Sequence, residues 1–264
     1  MPFTAVQSDV FSNARVKQYP IMAVLQVANA PIFRADGWEA RERPYDVPPK
    51  GKGENPGRAV EVSRARAKRA VKDIALCNPF THFFTWTLDG KLIDRYDTEE
   101  VKHRLCNFLK NAVRRKDFSY VLVPERHKDN ALHFHGLCML GSFKPVRAVS
   151  PYTGKPMFSK ETGRPIYNMP EWNFGFSTCI PIDENYERTV NYVVKYITKD
   201  TSKIFGKWYF SSRNLRKRPD IEIVSGGIDY YAFANEHRDS SPIPLYNDVK
   251  MFSCPILQKG EAAV

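Results

Sequence analysis

The segment His133-Phe134-His135 sets two imidazoles two residues apart. In a strand, alternate side chains share a face, so both rings point one way and Phe134 points the other. The surrounding residues support a strand, because Leu132, Phe134, Gly136, Cys138 and Leu140 make one small or apolar face. Two neutral imidazoles on one face form half of a divalent-metal site. Glu125 offers a third ligand. The turn-like run Arg126-His127-Lys128-Asp129-Asn130 lets a hairpin bring the histidines back beside it. Carboxylate, phosphate and water oxygens suit Mg2+ or Mn2+, and the histidines tilt the choice toward manganese.

Downstream, Glu184 to Asp200 reads as a helix. Val190, Val193, Val194 and Ile197 recur at i, i+3, i+4 and i+7 and define its apolar stripe. Tyr192, Tyr196 and Lys199 fall on a separate face, flanked by Arg188 and Lys195. Four aliphatics already account for the core stripe, so two tyrosines among three cations read as a polyanion site. A tyrosine hydroxyl, with a pKa of about 10, is a poor nucleophile at neutral pH. Nearby cations favour the phenolate, and a divalent metal polarises and orients a phosphate under attack. Such an attack on DNA leaves a 5′-phosphotyrosine and a free 3′-hydroxyl. The phosphoester survives in the new bond, so the reverse step can religate.

These residues need a scaffold, and the chain is long enough to build one. It has 264 residues, 42% of them hydrophobic, and a net charge of +11. That charge favours a polyanionic partner, most simply nucleic acid. The excess lies upstream, since Ser225 to Val264 carries five acids and three bases, a net of −2. Five scattered cysteines without a Cys-x-x-Cys pair argue against a disulfide framework or zinc ribbon and fit a reducing, cytoplasmic compartment. No signal peptide is visible, and no apolar run approaches the roughly 20 residues of a membrane span.

Residues 1–57 read as an irregular extension with one short strand at Ile21–Val27. Arg58 to Ala75 reads as a helix whose Arg64, Lys68 and Lys72 make a basic stripe suited to phosphate. Phe80–Leu88 is a strand. Asp97–Lys116 is an amphipathic helix capped at Thr98. Strands follow at Phe118–Val123, Ala131–Leu140, Phe174–Ile182, Trp208–Phe210 and Ile221–Val224. Residues 142–172 form an inserted arm with turns at Thr153-Gly154-Lys155-Pro156 and Thr162-Gly163-Arg164-Pro165. The basic run holding Arg213 and Arg216 suits a DNA backbone. Trp86, Trp172, Trp208 and Tyr209 are core residues first and base-stacking candidates second. No internal repeat stands out. The order of elements predicts an α+β fold, a central antiparallel β-sheet with flanking helices. The motif-bearing domain spans 58–224, and 225–264 is a tail.

Together these segments resemble a rolling-circle replication initiator (Rep) endonuclease of the HUH superfamily, of phage or plasmid type. Three motifs stand in that family's order. Phe83-Phe84-Thr85-Trp86-Thr87-Leu88 is similar to its first, hydrophobic motif. His133-Phe134-His135-Gly136 is similar to the second, and Tyr192-Val-Val-Lys195-Tyr196-Ile-Thr-Lys199 to the third. The resemblance spans roughly residues 80–224 and implies a palm like that of RNA-recognition motifs. It implies metal ligands His133, His135 and Glu125. Tyr196 comes first as nucleophile because Tyr196-Ile-Thr-Lys199 fits a Tyr-x-x-Lys core. Tyr192 is a second candidate, as in two-tyrosine phage initiators, and Lys199 positions or neutralises phosphate. The implied activity is nicking and strand transfer on single-stranded origin DNA, a hairpin, inside a bacterial cell. No Gly-x-x-x-x-Gly-Lys-Ser/Thr phosphate loop is present, so a separate helicase is implied. A transposase or relaxase of the same superfamily is the nearest alternative. A non-catalytic, basic single-strand binding protein is the alternative from another class.

Overall fold

A computed structural model describes residues 11–34, 56–197, 202–237, 242–246 and 248–256. The chain divides into two compact units, Pro48–Arg218, and Met1–Val47 together with Pro219–Val264. In chain order the elements begin with β1 (Phe11–Ser12), β2 (Ala14–Gln18), β3 (Ala23–Ala28) and β4 (Phe33–Arg34). The central unit follows with α1 (Pro56–Cys77), β5 (His82–Leu88), α2 (Thr98–Lys116), β6 (Ser119–Arg126) and β7 (Leu132–Met139). It continues with β8 (Val146–Arg147), β9 (Tyr167–Asn168), β10 (Gly175–Pro181), α3 (Tyr186–Tyr196) and β11 (Phe210–Ser211). The chain then returns to the first unit with β12 (Asp220–Ile223), α4 (Tyr230–Glu236), β13 (Ile243–Tyr246) and β14 (Val249–Ile256).

The Pro48–Arg218 unit is built on a seven-stranded sheet of order β11-β6-β7-β5-β10-β9-β8. Its strand pairings are antiparallel, so the expected α+β class holds. Alternation sorts the side chains of the central strands into two faces. Phe84, Trp86, Leu122, Phe134 and Cys138 share one face with the α2 residues Val101, Leu105, Leu109 and Ala112. Trp86 stacks on Trp172 there, with centroids 4.6 Å apart, and both are buried, which makes them core rather than base-stacking residues. The opposite face carries Val121, Val123 and Leu137. It packs under α1, through Val71 and Ile74, and under α3, through Val190 and Val193, with the C-cap residue Ile197.

Helix α2 matches its apolar spacing, but its cap is Asp97 rather than Thr98. The Asp97 carboxylate accepts from the backbone N–H of Glu99 at 2.9 Å and of Glu100 at 3.0 Å. An aspartate one residue upstream competes well for that role, since its charge also meets the positive end of the helix.

The inserted arm contains a repeat that the sequence reading passed over. Ser150-Pro-Tyr-Thr-Gly-Lys-Pro156 and Ser159-Lys-Glu-Thr-Gly-Arg-Pro165 fold into the same turn. In each, the serine N–H donates to the carbonyl of the basic residue, Lys155 at 2.9 Å or Arg164 at 2.7 Å. Each serine hydroxyl accepts from the threonine N–H at 3.3 Å. Each glycine takes a positive φ, 64° at Gly154 and 68° at Gly163, a conformation glycine adopts without steric cost.

The other unit is a five-stranded antiparallel sheet of order β12-β2-β3-β14-β13. Its core joins Ala14, Val27, Phe252 and Cys254 with Phe233 of α4. The sequence pattern gives 1–57 as an irregular extension with one strand at Ile21–Val27, which β3 matches, and 225–264 as a tail, with Ile221–Val224 in the motif-bearing domain. Instead β12 pairs with β2, with Ile223 opposite Arg15, and β14 pairs with β3, with Phe252 opposite Val27. These strands interleave Arg15, Lys17, Gln26, Lys250 and Pro255 with apolar residues, and their partners lie at the far end of the chain. Local pattern alone carries little of that signal.

Candidate active site

Strand register assembles the site. In the β6–β7 pairing Glu125 lies opposite His133. In the β5–β7 pairing Thr85 lies opposite His135 and Thr87 opposite His133. All five side chains therefore project on the face beneath α1 and α3. The residue after the histidines must be small. A Cβ at Gly136 would overlap the Phe84 ring and the Val121 carbonyl, so glycine lets neighbouring strands and Phe84 close over β7.

His135 is buried, and both its ring nitrogens are engaged. Nε2 meets Glu125 Oε2 at 2.7 Å, and Nδ1 lies 3.1 Å from Thr85 Oγ1. The His133 ring centroid lies 5.8 Å from that of His135 and 5.3 Å from that of His127. Burial, and then the neighbouring His135 and His127, push the His133 pKa down to about 4. His133 is thus neutral at pH 7 with a lone pair to give. One carboxylate and two imidazoles form the donor chemistry a divalent ion takes. Among the described residues, however, no group of three or more His, Cys, Asp or Glu side chains is arranged to hold a metal ion. Glu125 and His135 close on each other, and His133 stands apart.

Helix α3 carries the tyrosines, and its first turn is fixed to the end of α1. The Tyr186 hydroxyl reaches the carbonyls of Ala75 at 2.8 Å and Asn78 at 2.7 Å, and accepts from the Phe80 N–H at 3.2 Å. Asn185 caps the helix through the Arg188 N–H. From this anchor the Tyr196 ring lies on the His135 imidazole, centroids 3.7 Å apart. Its hydroxyl donates to the Tyr192 hydroxyl at 2.7 Å. Phe83 meets Tyr192 edge-on at 5.5 Å.

The two tyrosines sit in different environments. Tyr196 is 8% exposed and belongs to the core cluster, whereas the sequence reading put it on a face apart from the core. Tyr192 is 37% exposed. Burial, reinforced by the hydrogen bond to Tyr192 and by the charges of Glu125 and Glu161, holds the Tyr196 phenol well above its ordinary range. The cations expected to favour its phenolate are outweighed there by desolvation.

Arg188 and Lys195 line a cavity of about 580 Å³ together with Tyr192, Phe83 and Thr85. The remaining candidate cations lie elsewhere. The Arg64 guanidinium sits over the Trp208 ring at 5.3 Å, and Lys72 pairs with Glu187 of α3 at 3.0 Å. The α1 stripe therefore has two of its three members engaged with the protein, and Lys68 is half-buried between them. Arg213 and Arg216 are exposed beyond β11, where the Arg216 N–H donates to Asn78 Oδ1 at 3.2 Å. None of these five lines the cavity. Lys199 lies outside the described residues. The sequence pattern places Thr85 simply within a hydrophobic strand, yet it holds the His135 ring. Its alternation in step with Phe83 and Thr87 was the available signal.

Residues 81–201 match the family model Replication-associated protein ORF2/G2P, a rolling-circle replication initiator family. The matched segment runs from β5 through α3 and includes Glu125, both histidines and both tyrosines, so the resemblance noted in the sequence holds over this segment. The family supports a role in DNA replication. No curated protein and no solved structure matches the chain.

Proposed function

We propose that this protein initiates rolling-circle replication by nicking single-stranded origin DNA through tyrosine attack. The observation that carries this reading is the continuous contact Tyr192–Tyr196–His135–Glu125, set beside the cations Arg188 and Lys195. A tyrosine oxygen bonds to the scissile phosphorus as the bond to the 3′-oxygen breaks. The phenol proton is lost and the departing 3′-oxygen gains one, so no water is consumed. The product is a 5′-phosphotyrosine and a free 3′-hydroxyl, and attack by that hydroxyl reverses the step.

Exposure favours Tyr192 for the first attack, in place of the order suggested by the Tyr-x-x-Lys pattern. Its side chain lines the cavity, and its hydroxyl accepts the Tyr196 hydrogen bond, which would stabilise a developing phenolate. Tyr196 is then the donor beneath it, and the second nucleophile for strand transfer. Arg188 and Lys195 draw the phosphate to this face. His133, His135 and Glu125 are the residues that would hold Mg2+ or Mn2+, and a bound ion would polarise the phosphate. Thr85 keeps His135 oriented for that role. A separate helicase supplies the single strand, with an origin hairpin as the target.

Covalent trapping tests the proposal. Protein is incubated with origin-derived single strands and Mn2+ or Mg2+, denatured, and examined by gel and peptide mass spectrometry. A metal-dependent adduct on a tyrosine of α3 supports nicking. Tight metal-independent binding without any adduct would favour a non-catalytic single-strand binding protein.

A further inference from the structure

Beside the tyrosines lies a cavity with a built wall. Its floor is the sheet, where Thr178 of β10 lies opposite Thr85 and Ile180 opposite Phe83. One wall is α3, which presents Arg188, Tyr192 and Lys195 at helical spacing. The other wall is the second of the two repeated turns, Ser159–Arg164, followed by Ile166. Arg164 fastens that turn to the end of β10. Its guanidinium donates to the Pro181 carbonyl at 2.9 Å and pairs with Asp183 at 3.3 Å. The first copy of the turn has no such role, since its tip residue Tyr152 is 96% exposed. Of two like turns, the tethered one encloses space next to the reacting groups.

The lining is divided by chemistry. Phe83, Ile166 and Ile180 form an apolar side, and Thr178 and Asn191 supply hydrogen-bonding groups. The acids Glu161 and Asp183 also line the space, Asp183 paired with Arg164, but Lys160, Arg188 and Lys195 stand beside them, so the lining stays net positive. A volume of about 580 Å³ lies within the range of roughly 300–1,000 Å³ typical of sites for small organic ligands. A flat apolar body with polar edges and an attached anion fits this division. The cavity is continuous with the site, because Tyr192 and Thr85 line it while contacting Tyr196 and His135.

We infer that this cavity is a base-reading pocket that takes one unpaired nucleotide adjoining the scissile phosphate, with the Ser159–Arg164 turn as its outer wall. The inference rests on the single-strand nicking reading and adds to it the source of sequence choice. The base lies against Phe83 and Ile180, its edge meets Thr178 and Asn191, and its phosphate faces Arg188 and Lys195. Preference for unpaired DNA is part of the inference, since a base must leave its stack to enter between α3 and the Ser159–Arg164 turn.

The probe is a pool of single-stranded oligonucleotides randomised across their length and incubated with the full chain. Strands retained without metal, and strands captured covalently with Mn2+, are sequenced separately. The wild-type protein enriches one base at one position by about tenfold or more, the discrimination that good hydrogen bonds to one base edge supply. Ile180→Trp, which fills the pocket, and Arg164→Ala, which unfastens its wall, reduce that enrichment to within about twofold while other preferences persist. Circular dichroism spectra that match the wild type exclude misfolding, and Ile166→Trp serves where Ile180→Trp does not fold. Enrichment unchanged in the folded variants overturns the pocket, as does capture without positional preference or the absence of any retained strand. Enrichment that the variants abolish, without a covalent adduct, keeps the pocket and overturns nicking instead.

Discussion

The Tyr196 ring lies nearly parallel to the His135 imidazole, with a 10° angle between planes and centroids 3.7 Å apart. This contact joins the helix that carries the tyrosines to the strand that carries the histidines. It also buries Tyr196 and leaves Tyr192 as the more accessible phenol. On the proposed nicking chemistry, that difference predicts which phenol attacks first. With an origin strand, Tyr192→Phe removes the first adduct. Tyr196→Phe retains an adduct on Tyr192 but forms it about 10- to 100-fold more slowly, because a hydrogen bond to a charged oxygen is lost. Peptide mass spectrometry of the wild-type adduct decides the matter, and a modified Tyr196 peptide would reverse the order.

The closed Glu125–His135 pair makes a second prediction, on metal binding. If these residues and His133 take up an ion, Mn2+ raises the melting temperature. An ion at about 100 times its dissociation constant contributes about 2.7 kcal/mol. His133→Ala and Glu125→Ala remove that response. A melting curve unchanged by Mn2+ in the wild-type protein would count against the metal.

Gly136 sets a steric limit on β7. Gly136→Ala forces a methyl against Phe84 and the Val121 carbonyl. A destabilisation of about 1–3 kcal/mol is expected, as for other overpacked core positions. Urea unfolding measures it. Because the strand carrying both histidines shifts with the backbone, the proposed single-strand binding is expected to weaken as well.

Alkaline pH loosens the fold through its buried phenols. Burial, then Cys106, pushes Tyr120 up to about 12, and burial raises Tyr186 despite the Phe80 N–H. Both pKa values exceed the unfolded value of about 10, so the stability these phenols contribute is intact below pH 10. It is lost as pH rises from there through the folded values, because the unfolded chain releases its protons first. Unfolding free energy measured between pH 9 and 12 should decline, and Tyr120→Phe should flatten the decline. An unchanged slope in that variant would remove Tyr120 from the account.

Sequence alone determined the elements that hold the chemistry. Alternation marked β7, a continuous apolar run marked β6, which is buried on both faces, and period 3.6 marked α2 and α3, whose stripes each reflect one buried face. Spacing set His133 and His135 on a shared face, and the turn after Glu125 brought that carboxylate opposite His133. Local pattern does not determine which residues meet between elements. Tertiary packing decided that Tyr196 is buried on His135, that Thr85 holds the imidazole, that Arg64 and Lys72 turn to protein partners, and that one repeated turn walls a cavity. It also joined strands from both ends of the chain into one sheet. These outcomes depend on desolvation and on contacts between residues distant in sequence, where neither periodicity nor residue type records the partner.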